Sequence, residues 1–234
     1  MPAVEPGQVI ILNGTSGSGK SSTAELFARA SEHFWLLYGI DHFLANSYPA
    51  KFGHHGPRAR EGIYAHPRDP AEPDGALRWS FGEHGERAFG LMHDWIAAAS
   101  RAGCNIVFDH LLMTDPAVIQ DLAWKLDGLP ALLVTLKPPF EVLERRVAER
   151  AMDKKLPVEI LGEDAAAKII DRLTRLRPFY YDEIYRNDIC DLEIDSDAHC
   201  LDEVVAMIGQ RLARGPGTAF DRLREKFARP LRLP

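Results

Sequence analysis

Five short apolar runs punctuate the chain: Val9–Asn13, Trp35–Ile40, Asn105–Asp109, Ala131–Leu136 and Asp191–Asp195. Each has the length of a strand, and most are almost continuously hydrophobic, as strands are when both faces are covered. The stretches between them repeat apolar residues at helical spacing, among them Glu86–Arg101, Pro116–Leu126, Phe140–Met152, Glu163–Leu176 and Leu201–Ala213. Strands alternating with helices predict βαβ crossovers and an α/β fold, a parallel sheet held between two helical layers.

Two regions break this rhythm. From Ser47 to Gly85 the chain carries Pro49, Pro57, Pro67, Pro70 and Pro73 among frequent glycines. A segment this long without periodicity is usually a lid or a binding loop. Within it Pro73-Asp74-Gly75 is a turn signal, so Ile63-Tyr64 and Leu77-Arg78-Trp79 are candidates to pair as a small hairpin. Phe43, Trp79 and Phe81 lie in or near the same insert and suit either a pocket wall or ordinary core packing. The second region is Gly215-Pro216-Gly217 followed by Phe220–Phe227, a linker and a short amphipathic helix. Such a helix is expected to pack on the domain surface or on a second copy, with recruitment of a partner as the alternative.

Composition narrows the class. At 234 residues the chain suits one α/β domain with a full core, and a formal net charge of −6 argues against binding nucleic acid through a broad basic face. Cys104, Cys190 and Cys200 form no CxxC pair and no disulfide framework, the usage of reduced thiols in a cytoplasmic protein. The first residues lack a basic segment, and the apolar run behind them is too short for a signal peptide or a membrane span. His54, His55, His66 and His84 fall in the insert at spacings that match no standard zinc pattern.

The first apolar run flows directly into Gly14-Thr15-Ser16-Gly17-Ser18-Gly19-Lys20-Ser21, the pattern GxxxxGK(S/T), and a helical stretch beginning with Ser22 follows. Glycines there let successive N–H groups point inward around a polyphosphate, with the positive end of a helix behind them. Lys20 is expected to reach the β- and γ-phosphates, and the Ser21 hydroxyl to ligate Mg²⁺. Asp109 closes the third run, the placement from which a carboxylate orients that metal. The second run delivers Asp41 to the carboxyl edge of the sheet, where ligands of open α/β sheets bind. A carboxylate there can take the proton of an acceptor hydroxyl attacking the γ-phosphate. Further cations are available on Phe140–Met152, where Arg146 and Arg150 share a helix face just before the Met152–Gly162 loop, an arrangement that suits a lid over phosphates. Arg172, Arg175 and Arg177 are less specific contributors.

Taken together these residues resemble the chloramphenicol phosphotransferase-like P-loop kinases. The resemblance covers about residues 8–213: Ile10-Ile11-Leu12-Asn13-Gly14 into Gly19-Lys20-Ser21-Ser22, Tyr38-Gly39-Ile40-Asp41, Arg101 to Asp109, Glu144-Arg145-Arg146 with Arg150, and Cys190 to Ser196. It implies a three-layer P-loop kinase fold with a five-stranded parallel sheet in the order 2-3-1-4-5 and a lid. Residues 1–213 would be a single kinase domain, with 47–85 binding or capping the acceptor and 150–178 forming the lid. Residues 214–234 would be an extension. The resemblance also implies ATP as donor, Asp41 as the base acting on an antibiotic hydroxyl, and a loop at Ser196 close to the adenine. His110 stands where a second acidic residue often follows the Walker-B aspartate.

The expected function is therefore ATP- and Mg²⁺-dependent phosphorylation of a small hydroxylated molecule in the cytoplasm, independent of nucleic acid and membranes, with homo-oligomerisation left open. The alternatives are a metabolite kinase for a sugar, a shikimate-like acid or a nucleoside, and a nucleotide-binding regulatory or toxin-like module acting through a partner.

Overall fold

A computed structural model describes residues 4–54, 56–153 and 163–230, with the backbone alone described at 147–153, 163–170 and 173. Strand β1 (Val9–Asn13) is buried at every position, and its side chains part to opposite layers. Val9 and Ile11 join a cluster with Phe89, Ile96 and Phe108, whereas Ile10 and Leu12 join one with Phe27, Val204 and Ile208. Full burial of such a side chain contributes about 1.5–3 kcal/mol, which is why an all-apolar strand occupies the centre of the sheet.

Around β1 the sheet is completed by β2 (Trp35–Gly39), β5 (Asn105–His110), β6 (Ala131–Leu136) and β7 (Leu192–Ile194), in the order β2-β5-β1-β6-β7. Every pairing is parallel. This is the 2-3-1-4-5 order expected of a P-loop kinase. Helices α1 (Lys20–Ala30) and α6 (Leu201–Leu212) cover one face. The other face carries α2 (Glu83–Arg101) and α3 (Val118–Lys125). Helix α4 (Phe140–Asp153) follows β6, and α5 (Glu163–Ile184) runs past its expected end at Leu176 and through Pro178. Among the described residues no helix is long and apolar enough to cross a membrane. The Met152–Gly162 loop falls largely outside the described residues, as does His55.

The insert is folded against the domain. Strands β3 (Ile63–Pro67) and β4 (Leu77–Phe81) form the hairpin, pairing antiparallel from Ile63 opposite Phe81 to Pro67 opposite Leu77. Trp79 is only 2% exposed and meets Tyr180 edge to face, 5.4 Å between ring centroids. Of the two roles open to it, Trp79 therefore takes core packing. Helix α5 fastens the insert: Arg175 donates to the carbonyls of Gly75 (2.9 Å) and Pro73 (2.6 Å), Arg68 pairs with Asp182 at 2.5 Å, and Arg172 donates to the carbonyl of His54.

The tail forms α7 (Ala219–Lys226) against α3 and β6, and Phe220 and Leu223 are buried in the main core. The Asp191 carboxylate caps its start, accepting N–H groups from Thr218 (2.7 Å), Ala219 (3.0 Å) and, on the sheet side, Leu133 (2.9 Å). The apolar face that a recruiting module would need is occupied by this packing.

Candidate active site

Three functional segments leave adjacent strand ends. Register places Gly39 of β2 beside Asp109 of β5, and Leu12 and Asn13 of β1 beside Asp109 and His110. The glycine loop, the Asp41 turn and Asp109 therefore converge at one edge because parallel strands all end there.

Gly17 and Gly19 hold φ at 86° and 90°, the left-handed region where a side chain is strained. Those turns carry the chain from Thr15 to the first turn of α1. Lys20 is buried beneath the loop, its ammonium donating to the Thr15 carbonyl at 3.0 Å. The loop is held from behind by Tyr185, whose hydroxyl accepts the Thr15 N–H (3.2 Å) and donates to the Leu136 carbonyl (2.7 Å). Burial pushes the Tyr185 phenol up to about 12, so it keeps the proton it donates. Asn13 adds a second brace, giving its amide to the Ile184 carbonyl (3.3 Å) and accepting from Leu112 N–H (3.0 Å).

Ser21 donates its hydroxyl to Asp109 Oδ2, and Asp109 Oδ1 accepts the Ile40 N–H at 3.2 Å. Asp109 thus ties the foot of α1 to the turn that follows β2. Gly39 makes room for it, since a Cβ there would lie 1.8 Å from Asp109 Oδ1. A hydroxyl and a carboxylate are the hard oxygen donors that Mg²⁺ takes together with phosphate and water, so the pair fits that ion. Among the described residues, no group of three or more His, Cys, Asp and Glu assembles as a closed metal cage.

Asp41 sits exposed on the helical turn Ile40–His42, which widens at Phe43–Ser47 into a π turn closed by Tyr48 N–H to the Phe43 carbonyl, 3.0 Å. Such turns recur at functional sites. Across from it stands Tyr180 of α5, whose phenol is held above its ordinary range by burial and, further, by the charge of Asp41. Tyr180 in turn lines a small cavity with Thr15 and Ser16. Tyr180 is thus beside Thr15 and Ser16 and within electrostatic reach of Asp41.

At the opposite end of the loop a cavity of about 330 Å³ runs from Gly17, Ser18, Gly19 and Ser22 to Leu201 and Val204. Arg146 spans it, donating to the carbonyls of Gly17 (3.4 Å) and Ser196 (3.2 Å) and to Asp197 Oδ1 (3.0 Å). The Ser196 hydroxyl donates to the Ser18 carbonyl at 2.7 Å. Ser196 therefore adjoins the glycine loop. Arg146 is engaged on the side of the loop that faces β7, and the side chain of Arg150 lies outside the described residues. The buried Ser18 hydroxyl has no hydrogen-bond partner.

The pattern of residues 7–213 matches the family model of chloramphenicol phosphotransferase-like proteins. The chain belongs to the chloramphenicol phosphotransferase-like family. Solved structures agree with the fold of this family at low sequence identity. The APS kinase CysC of Mycobacterium tuberculosis, solved with AMPPNP and APS, has a TM-score of 0.52 at 15% identity, over 89% of this chain and 98% of that one. A putative kinase from Chloroflexus aurantiacus gives 0.52 at 13%, over 88% and 98%, and the protein APE1195 gives 0.53 at 14%, over 90% and 98%. No curated protein matches the chain in sequence. Family and fold together make this a P-loop phosphotransferase.

Within this family member, His110 acts on structure. It accepts the Leu111 N–H at Nδ1 (2.8 Å), so its proton resides on Nε2 and points to His93 Nε2, 2.9 Å away. His93 then carries its proton on Nδ1, toward Asp121 at 2.5 Å. Burial, reinforced by His93 and Lys20, holds the His110 pKa well below its ordinary value. With both nitrogens engaged inside the core, it does not stand in for a second acidic ligand.

Tyr185, Tyr180, Asp197 and the His93–Asp121 pair have no motif signal. The aromatic run Phe179-Tyr180-Tyr181 near the end of α5 is the one local hint.

Proposed function

We propose that the chain is an ATP-dependent O-phosphotransferase that moves the γ-phosphate to a hydroxyl of a small molecule such as an antibiotic, in the cytoplasm. The observation that carries the reading is the convergence at one sheet edge of a buried P-loop lysine and an exposed carboxylate, with Tyr180 beside Thr15 and Ser16 and within electrostatic reach of Asp41. Lys20 neutralises the β/γ end of the nucleotide, and the backbone of Gly14 to Ser22 holds its phosphates. Ser21 and Asp109 would hold Mg²⁺, which supplies neutralisation of the phosphate oxygens when bound. Arg146, joined to Ser196, closes the nucleoside end, and Arg150 follows one turn later on the same helix.

In the transfer, the acceptor oxygen bonds to the γ-phosphorus while the bridging bond to the β-phosphate breaks. Its proton passes to the Asp41 carboxylate, and the bond pair remains on the departing ADP oxygen.

A transfer screen with radiolabelled ATP over hydroxylated antibiotics and primary metabolites tests this directly. Asp41→Asn is expected to lower kcat by about 10²–10⁴ while nucleotide affinity stays near that of the wild type. A rate within roughly threefold of wild type would remove Asp41 from the role of base. Labelling of a sugar, a shikimate-like acid or a nucleoside in place of antibiotics would assign the metabolite-kinase alternative.

A further inference from the structure

Helix α5 carries three arginines within two turns, and they do different work. Arg172 and Arg175 lie roughly 60° apart around the helix and both donate to carbonyls of the insert. Arg177 is turned about 200° from Arg175, toward the glycine loop. It lines a cavity of about 20 Å³ with Thr15 and Ser16, beside Tyr180 and Tyr181 one turn further on. That volume holds one oxygen-sized group. The Arg177 Nε is buried without a hydrogen-bond partner, and the bond the guanidinium makes is from Nη2 to Thr174 Oγ1, 3.0 Å, on its own helix. A buried guanidinium N–H left unmade is costly, and a ligand oxygen would relieve it.

The two ends of the loop are distinguishable. Lys20 touches Thr15, which makes Thr15–Ser16 the β/γ end, whereas Arg146 binds Gly17 and the loop after β7. We propose that Arg177 is the arginine that contacts the phosphoryl group being transferred, and that Arg146 fixes the nucleoside end. This rests on the nucleotide-binding part of the function proposed above. The division places two cations at the moving group, Lys20 beneath it and Arg177 from helix α5, with Tyr180 beside Arg177. The same helix holds the insert through Arg172 and Arg175, so seating of the acceptor wall and delivery of Arg177 are mechanically joined.

The test compares a non-hydrolysable ATP analogue with ADP, each with Mg²⁺, by calorimetry on the full chain, and needs no acceptor. Arg177→Met is expected to weaken the analogue about tenfold or more and leave ADP within about twofold, since hydrogen bonds to charged groups are the strong ones. Arg177→Gln keeps a polar side chain of similar reach and decides the matter if the methionine variant does not fold. Equal losses for analogue and ADP would make Arg177 a structural brace of the loop and overturn the proposal, as would no change in either. Wild-type protein that bound neither nucleotide would overturn the function proposed above along with it. A failed acceptor screen alongside a lost preference for the analogue would leave this assignment standing.

Discussion

On one side of the cleft the nucleotide site is assembled from near neighbours: Gly14 to Ser21 in one loop, with Tyr185, Asn13 and Asp109 as braces. On the other side the packed insert, proposed above to face the acceptor, is drawn from Phe43, Tyr48, Trp79, Phe89 and Tyr180, residues scattered along the chain and joined by ring contacts. The first side works through backbone N–H groups whose direction is set by local dihedral angles. The second works through side-chain shape, which exists only after the insert has docked. A binding site for an invariant ligand is best made from backbone. A wall of side chains can be recut for a different acceptor while the donor site stays in place.

Trp79→Ala tests that separation most severely. Truncating a core tryptophan costs about 3–5 kcal/mol, so the melting temperature should fall sharply. ADP affinity, measured below the new melting point, should nonetheless remain near wild type. Collapse of both together would mean that the two sides form one cooperative unit. Gly39→Ala strikes the joint between them, because the added methyl must displace the Asp109 carboxylate. Overpacking of this kind costs about 1–3 kcal/mol, and nucleotide affinity should fall more with Mg²⁺ present than with EDTA. An equal fall in both conditions would sever Asp109 from the metal. Tyr185→Phe is the mildest: it removes one donor and one acceptor behind the loop, for about 1 kcal/mol in chemical denaturation. ADP affinity should drop with it, whereas the near-ultraviolet signal of the Trp79 cluster should not change. An altered aromatic signal would show that the brace reaches across the cleft.

Much of this molecule could be read from local pattern. The five strands, their parallel sense and the glycine loop follow from apolar runs and from a motif whose spacing is itself the geometry, while the strand order came from the family resemblance. The hairpin was visible in Pro73-Asp74-Gly75 because turn preferences are local. The docking of the insert was not, since nothing near Trp79 in the chain announces Tyr180 as its neighbour. Nor was the tail's destination legible. Its amphipathic pattern states that a face must be buried, and Asp191 and β6 decide where.

The arginines show the same boundary most clearly. Sequence alone determined that the chain binds a polyphosphate and that cations lie on the helices after the fourth strand, because loop curvature and helical spacing are properties of consecutive residues. Which guanidinium faces Gly17, which faces Thr15, and which merely hold the insert was decided only by the tertiary structure. Those directions depend on how α4 and α5 cross the sheet edge, an outcome of long-range packing that no local spacing encodes.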